Sequence, residues 1–131
     1  MARAKKEHVN PVTPEDAEKF DFFMSKWRKI LNLSDWRYVK LAKKSTAMAE
    51  ITEQITKHRL VRWKIGTDFG ETPVNPVTLE KTAIHENLHV LLHTLVEAAI
   101  EDQDYTDRVT AEEHRVIAVL ETLLLKTATL T

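Results

Sequence analysis

The second half of the chain carries two long helical patterns, and these limit how large a sheet the rest of the chain can form. Apolar residues recur at helical spacing over residues 78–100 and again over about 107–127, with an acidic stretch at residues 101–104 between them. A chain of 131 residues forms one domain of ordinary size. Once both helices have formed, the remaining residues suffice for a further helix and a few short strands.

Two helix starts are marked by the residue types found there. Thr13 and Pro14 are types preferred at the N-cap and at the first helical position, which predicts a helix over about residues 14–32. Residues 66–77 contain both glycines of the chain together with two prolines, and this composition predicts a turn region. Thr78 follows directly and is the predicted N-cap of the first long helix.

Three segments between these helices are candidate strands. Residues 36–41 are rich in aromatic and branched side chains, and apolar and basic residues alternate over 61–65. Residues 46–56 fit either a strand or a helix. The order of elements predicts an α+β fold in which a small sheet packs against helices. We expect residues 1–12 to be a flexible basic tail and residues 13–131 to form a single domain.

The composition excludes several kinds of site. The chain has no cysteine, so disulfides, thiolate catalysis and Cys-ligated metal centres are excluded, and any metal must be held by His, Asp or Glu. The two glycines, Gly66 and Gly70, cannot supply a Gly-rich phosphate loop. No apolar run approaches the ~18 residues of a membrane span, and the first residues lack the apolar segment of a secretory signal. These features predict a cytoplasmic protein without a membrane partner.

The charge is distributed unevenly along the chain. Residues 1–66 contain 15 Lys or Arg against 8 Asp or Glu, whereas residues 67–131 contain 4 against 12, and the net charge is −1. A basic half can attract nucleic acid, although no nucleic-acid-binding motif accompanies it. The alternative is two solvated faces that pair within the fold. The basic residues of the predicted sheet region are Lys40, Lys43, Lys44, Lys57, Arg59, Arg62 and Lys64.

Residues 85–89 of the first long helix read His-Glu-Asn-Leu-His, which is the pattern His-Glu-x-x-His. Residues four apart lie above one another on a helix, so His85 and His89 can bind one zinc ion, with Zn–N bonds of about 2.0–2.1 Å. Glu86 lies about 100° further round the helix, which places its carboxylate beside the metal. There it can take a proton from a zinc-bound water and later give it to a leaving amine. The spacing predicts zinc-dependent hydrolysis.

A site of this kind needs a third protein ligand, and the second long helix offers one. Glu113 projects about 40° from the centre of that helix's apolar stripe, where an acid is costly unless it is paired or bound to a metal. Glu113 is therefore the predicted third ligand and Glu112 the reserve. The alternative for Glu113 is a first-turn acid favoured by the helix dipole. His93 lies about 12 Å from His85 along the helix axis, so we expect it to be an outer or core histidine.

These two helical segments resemble those of the small zincin-like proteins encoded by bacteriophages and prophages. More broadly, they are similar to the gluzincin metallopeptidases, in which two histidines of the motif helix and a glutamate on a following helix bind zinc. The implied fold is a minimal zincin-like domain with an N-terminal helix, a small sheet of three or four strands, the motif helix and a C-terminal helix that carries the third ligand. The implied site consists of His85, His89 and Glu113 as ligands of Zn²⁺ and Glu86 as the general base.

The resemblance also implies how a substrate would bind. Residues 46–56 would form a strand, and Val61–Ile65 is the candidate edge strand that aligns a peptide. The implied activity is that of a zinc metallopeptidase acting on a peptide or protein. The alternative is a catalytically weak or inactive zinc-binding regulatory or structural protein that acts near nucleic acid. The candidates for an oxyanion-stabilising group are Tyr105, Arg108, His114 and Arg115.

Overall fold

The fold is α+β, as the order of sequence patterns predicts. A computed structural model describes residues 9–100 and 106–130. In this part of the chain a three-stranded mixed sheet packs with three α-helices, and one 3-10 turn joins two of the strands. The elements in chain order are α1 (Pro14–Ile30), β1 (Arg37–Lys40), β2 (Ala49–Ile55), the 3-10 turn (Thr56–His58), β3 (Leu60–Ile65), α2 (Pro76–Ile100) and α3 (Thr106–Leu130).

Helix α1 begins as its sequence predicts. The Thr13 side chain accepts a hydrogen bond from the backbone of Asp16, and the Asp16 carboxylate accepts one from the backbone of Thr13. This reciprocal capping box satisfies two backbone donors that have no partner within the helix. The helix ends at Ile30, and Asn32 then adopts a left-handed conformation with φ of 60°. Asn tolerates that conformation better than most residues, which accounts for the end of the helix near residue 32.

The strand order is β1-β3-β2, which corrects the expected identity of the edge strand. Strand β3 contains the segment Val61–Ile65 and lies in the centre, parallel to β1 and antiparallel to β2. Its backbone groups are therefore used on both sides, and it cannot align a peptide. Strand β2 pairs only with β3 among the described strands, so β2 offers a free edge. The ambiguous segment 46–56 thus contains a strand.

The N-cap of helix α2 lies three residues earlier than the sequence analysis predicts. The side chain of Asn75 accepts from the backbone of Thr78, and the Thr78 hydroxyl accepts from the backbone of Asn75. Asn75 is thus the N-cap, Pro76 is the first helical residue and Thr78 is the reciprocal partner. In the described part of the chain, no helix is long and apolar enough to cross a membrane.

The segment before α1 is paired with the loop that follows β3. Val12 donates a backbone hydrogen bond to Thr67, and Phe69 donates one to Asn10. The backbone of Asn10 also donates to the carboxylate of Asp68. Residues 9–12 of the expected tail are therefore bound to the domain, whereas residues 1–8 of that tail lie outside the described residues.

Two buried clusters hold α2 in place from opposite sides. The first lies between α1, the sheet and the start of α2, and it includes Phe20, Trp63 and Leu79. The second joins the end of α1 to α2 and α3, and its fully buried members include Leu88 and Ile117. Helix α2 is therefore fixed between the sheet and α3. The side chains that it turns toward β2 and α3 form the site described next.

Candidate metal centre

The motif residues divide between two sides of α2. Asn87 and Leu88 are 0% and 1% exposed and face the core. His85, Glu86 and His89 face the space between β2 and α3, where all three line one groove. The centroids of the two imidazole rings are 4.9 Å apart. The four-residue spacing therefore places both rings and the carboxylate together, as expected for residues on one helix face.

Helix α3 contributes a third histidine to this pair. One ring nitrogen each of His85, His89 and His114 lies within 4.8 Å of the other two, close enough for the three to bind a metal ion. The His114 ring centroid is 4.9 Å from that of His89 and 6.2 Å from that of His85. His93 lies outside this cluster of three histidines, although it lines the same groove.

Each ring of the cluster is oriented by a partner on its Nδ1 atom. His85 Nδ1 lies 2.9 Å from a Glu121 carboxylate oxygen, and His89 Nδ1 lies 2.9 Å from one of Glu113. His114 Nδ1 lies 3.0 Å from the backbone oxygen of Thr110. Because all three partners are acceptors, Nδ1 carries the proton in each ring. In the neutral rings Nε2 then has the free electron pair that a metal requires.

Glu86 is a buried acid next to the cluster. Glu86 is only 6% exposed. Burial raises the pKa of Glu86 to about 7, against the opposing effects of the neighbouring His85 and of a hydrogen bond from the Ile51 backbone. Desolvation thus outweighs the favourable contacts of the carboxylate. A group that changes protonation near neutral pH can both accept and release a proton there.

The two motif histidines have pKa values shifted in opposite directions. The hydrogen bond to Glu121 is the largest influence on His85 and raises its pKa. Burial is the largest influence on His89 and lowers its pKa, although Glu113 acts in the other direction. A lowered pKa keeps an imidazole neutral, which is the form that binds metals.

Two cavities meet at the motif. The larger, which we call the groove, has a volume of about 480 Å³ and lies between β2, α2 and α3. The second cavity has a volume of about 390 Å³ and lies toward the start of α2, where it is lined by Thr78, Lys81 and Thr82. Ala49, His85 and Glu86 border both. Glu86 is therefore accessible to a molecule that extends into either side.

The acids predicted on α3 lie in different surroundings. Glu113 is at the site with a side chain 10% exposed, but its nearest partner is the His89 ring. Glu112 is exposed and pairs with Arg115 at 3.0 Å. The histidine cluster contains His114 and does not include Glu113, whose assignment as a ligand stays a prediction.

Of the other residues that the sequence analysis considered for the site, only His114 belongs to the histidine cluster among the described residues. His93 lies 3.4 Å from Glu97, one helical turn further along α2. Arg115 is occupied by its ion pair with Glu112. Tyr105 lies outside the described residues, and so does the side chain of Arg108. His114 is the one candidate for oxyanion stabilisation that lines the groove among the described residues.

Glu121 is a site residue that the sequence analysis missed. It is 9% exposed and lies four residues after the fully buried Ile117, which itself follows Glu113 by four. Residues at this spacing share one face of a helix. Two acids in the same column as a core isoleucine form the signal that could have identified Glu121, because a buried acid requires a partner.

Comparison with known proteins identifies no relative of this chain. The chain matches no protein-family model, and neither the curated proteins nor the solved structures give a significant match.

Proposed function

We propose that this protein is a metal-dependent hydrolase of the zincin-like type that cleaves peptide bonds. The observation that carries the proposal is a buried carboxylate, Glu86, beside three histidines whose ring nitrogens lie within 4.8 Å of one another. A histidine cluster by itself supports metal binding. The adjacent buried acid, open to two cavities, supports hydrolysis in addition.

The donor set suits a zinc ion. His85, His89 and His114 would hold it through Nε2, and three protein ligands leave a fourth position open, as catalytic zinc sites require. Glu113 and Glu121 would support two of these ligands from outside, a pattern that fixes ring orientation and raises ligand basicity. Zinc, when bound, would lower the pKa of a water ligand to about 7 and polarise the carbonyl group of the substrate.

Glu86 is the residue that moves protons in this proposal. Its carboxylate takes a proton from the attacking water, whose oxygen forms a bond to the carbonyl carbon of the substrate. The carbon–nitrogen bond then breaks, and the proton passes from Glu86 to the nitrogen of the leaving amine. The position of Glu86 suits both transfers, because its carboxylate borders both cavities beside the histidine cluster and so lies near the water and the leaving nitrogen.

The edge of β2 that has no strand partner supports a peptide as the substrate, with the backbone N–H of Ile51 on that edge already donating to Glu86. Residues 49–54 of this strand line the groove beside His85 and Glu86. An extended peptide can add to an open sheet edge through backbone hydrogen bonds, whatever its side chains. A β-bulge at Thr52, where the pairing passes from Ile51–Trp63 to Glu53–Arg62, interrupts the regular pairing at the groove. Bulges are common beside active sites.

The experiment compares the zinc-loaded wild-type protein with zinc-loaded Glu86→Gln. Both are incubated with a mixture of unstructured peptides, and mass spectrometry measures the cleavage products. We expect the variant to keep about one zinc per chain and to lose cleavage by at least about 100-fold, the lower range for general acid–base catalysis. Glu112→Gln is the matched control and should retain zinc and activity, because Glu112 is exposed and pairs with Arg115. Full activity of Glu86→Gln would contradict the proposal, and so would a zinc-loaded wild-type protein that cleaves nothing.

We propose no nucleic-acid function. Of the seven basic residues in and around the sheet, four form ion pairs within the domain, which reduces the charge available to phosphates. These pairs are Lys40–Asp21, Arg59–Asp35, Arg62–Glu53 and Lys64–Glu50. The predicted cytoplasmic location stays a prediction.

A further inference from the structure

The groove and the second cavity adjoin at Glu86, since Ala49, His85 and Glu86 line both, and we treat them together as one cleft. The face of α2 from Thr78 to Val96 is its floor, and residues 48–54 line it from the sheet side. At 1.5 Å per residue this floor is about 27 Å long. An extended chain of about eight residues has that length. The cleft is therefore long enough for a peptide that continues on both sides of the reacting bond.

The two ends of the cleft differ in charge. The groove is lined by Glu50, Glu53, Glu86 and Glu113, and none of its described lining residues is Lys or Arg. Among the described residues that line the two cavities, Lys81 is the only one with a permanent positive charge, and it borders the second cavity. Lys81 lies one helical turn before His85, on the same face of α2.

The local ion pairs do not remove this difference. Glu53 pairs with Arg62 and Glu50 lies 3.8 Å from Lys64, but neither cation lines the cleft. In the second cavity, Glu121 is engaged by His85. Lys81 forms no ion pair with any residue that the structure describes. Glu86 and Glu121 also line the second cavity, and Lys81 is the only described lining side chain of the two cavities, apart from the histidines of the metal centre and His93, that would attract a substrate carboxylate.

The direction of the bound chain follows from the strand. β2 runs from Ala49, where the cavities meet, toward Ile55 at the far part of the groove. Antiparallel pairing is slightly more stable than parallel pairing. A peptide antiparallel to β2 enters the groove with its N-terminal part and reaches the second cavity with its C-terminal part.

We propose that the second cavity binds a substrate carboxylate with Lys81 as its counter-charge, so that the bond cleaved lies on the N-terminal side of that carboxylate. This rests on the proposed function and specifies its substrate class. The carboxylate is either an Asp or Glu side chain or the C-terminus of the chain. The glutamate-lined groove favours basic residues before the cleaved bond.

The test profiles cleavage of a proteome-derived peptide mixture by the zinc-loaded protein. We expect Asp and Glu to be enriched just after the cleaved bond, or cleavage to concentrate near free C-termini. Synthetic peptides with an amidated or a free C-terminus then distinguish the two sources. Lys81→Met should reduce the preference for Glu over Gln in kcat/KM by up to about fivefold, the upper end of the range for an exposed ion pair. Lys19→Met, an exposed lysine of α1 outside both cavities, is the control.

A binding measurement keeps this inference separate from the proposed function. Fluorescent decapeptides with a central Glu or Gln are titrated against zinc-loaded Glu86→Gln, and fluorescence anisotropy reports binding without hydrolysis. Tighter binding of the Glu peptide that disappears in the Glu86→Gln, Lys81→Met double variant supports the inference even if no peptide is cleaved. Binding that is the same for the Glu and Gln peptides and also the same with a free or an amidated C-terminus, no binding of any peptide, or cleavage with no preference for a carboxylate would overturn it.

Discussion

The hydroxyl of Tyr38 donates a hydrogen bond of 2.6 Å to Oδ1 of Asn87, the residue that follows Glu86 in the motif. Asn87 is fully buried, and its amide nitrogen donates to the backbone oxygen of Ala83. The motif helix is thus held to β1 by a buried polar contact on the side opposite the metal centre. This contact fixes the rotation of α2 and so the direction in which His85 and Glu86 point.

Tyr38→Phe should lower the free energy of unfolding by about 1–3 kcal/mol, because it leaves the buried Asn87 oxygen without its donor. Burial also raises the pKa of Tyr38 above its usual value of 10.0. A raised folded-state pKa means that the unfolded protein ionises first, so this contribution is complete below pH 10 and is lost as the pH rises further. Urea unfolding should show a smaller difference in the free energy of unfolding between wild type and Tyr38→Phe at about pH 11 than at about pH 8. A difference of the same size at both pH values would contradict this account.

Comparing the zinc affinities of His114→Ala and Glu113→Gln identifies the third metal ligand. If His114 is the ligand and Glu113 supports His89, Glu113→Gln should weaken zinc binding by about 10–100-fold and His114→Ala by more. Competition with a chromophoric chelator measures both affinities. His93→Ala is the control and should bind zinc as the wild type does, because His93 lies outside the cluster. The reverse order of the two losses would restore Glu113 as the ligand.

Local sequence patterns predicted the types of the secondary-structure elements. The order of the strands in the sheet depends on long-range packing, which local patterns do not predict. Capping residues identified the start of α1, and apolar periodicity identified both α1 and the motif helix, since these signals act within a few residues. The N-cap of the motif helix is Asn75 and not the predicted Thr78. The central position of β3 depends on its parallel pairing with β1, which joins segments distant in sequence. Because β3 lies in the centre, β2 and not β3 is the edge strand beside the groove.

The metal centre likewise combines a feature set by local sequence with one set by long-range packing. The spacing of His85 and His89 is a property of one helix, so the sequence predicts it. Glu113 and His114 are neighbours about 100° apart on α3, and the way α3 crosses α2 determines which of them joins the histidine pair. That crossing depends on contacts such as those of Ile117, which connect residues distant in sequence.

Glu121→Gln tests the carboxylate that orients His85. The hydrogen bond from His85 to Glu121 is the largest influence on this ring and raises its pKa, so the pKa of His85 should fall in the variant. Proton NMR titration of the metal-free protein measures this change, which a merely space-filling residue would not produce. Zinc affinity should fall by about 10–100-fold. An unchanged pKa of His85 would show that Glu121 does not orient the ring, and Glu112→Gln should leave that pKa unaltered.

Removing zinc should destabilise the packing of α3 on α2, and this loss of stability should be smaller in Ile117→Ala. Ile117 is fully buried between the two helices, so its truncation should lower the free energy of unfolding by about 2–5 kcal/mol. His114, Glu113 and Glu121 all lie on α3, so a less firmly packed α3 should also bind zinc more weakly.

Thermal unfolding with and without a chelator measures both effects. Zinc at about 100 times its dissociation constant should stabilise the wild-type protein by about 2.7 kcal/mol, and the same zinc concentration should stabilise Ile117→Ala less. Leu123→Ala is the matched control, because Leu123 lies on the same helix but is 54% exposed. A surface change of this kind alters stability by no more than about 0.5 kcal/mol. If zinc stabilises neither wild type nor variant, the three histidines do not form a metal centre.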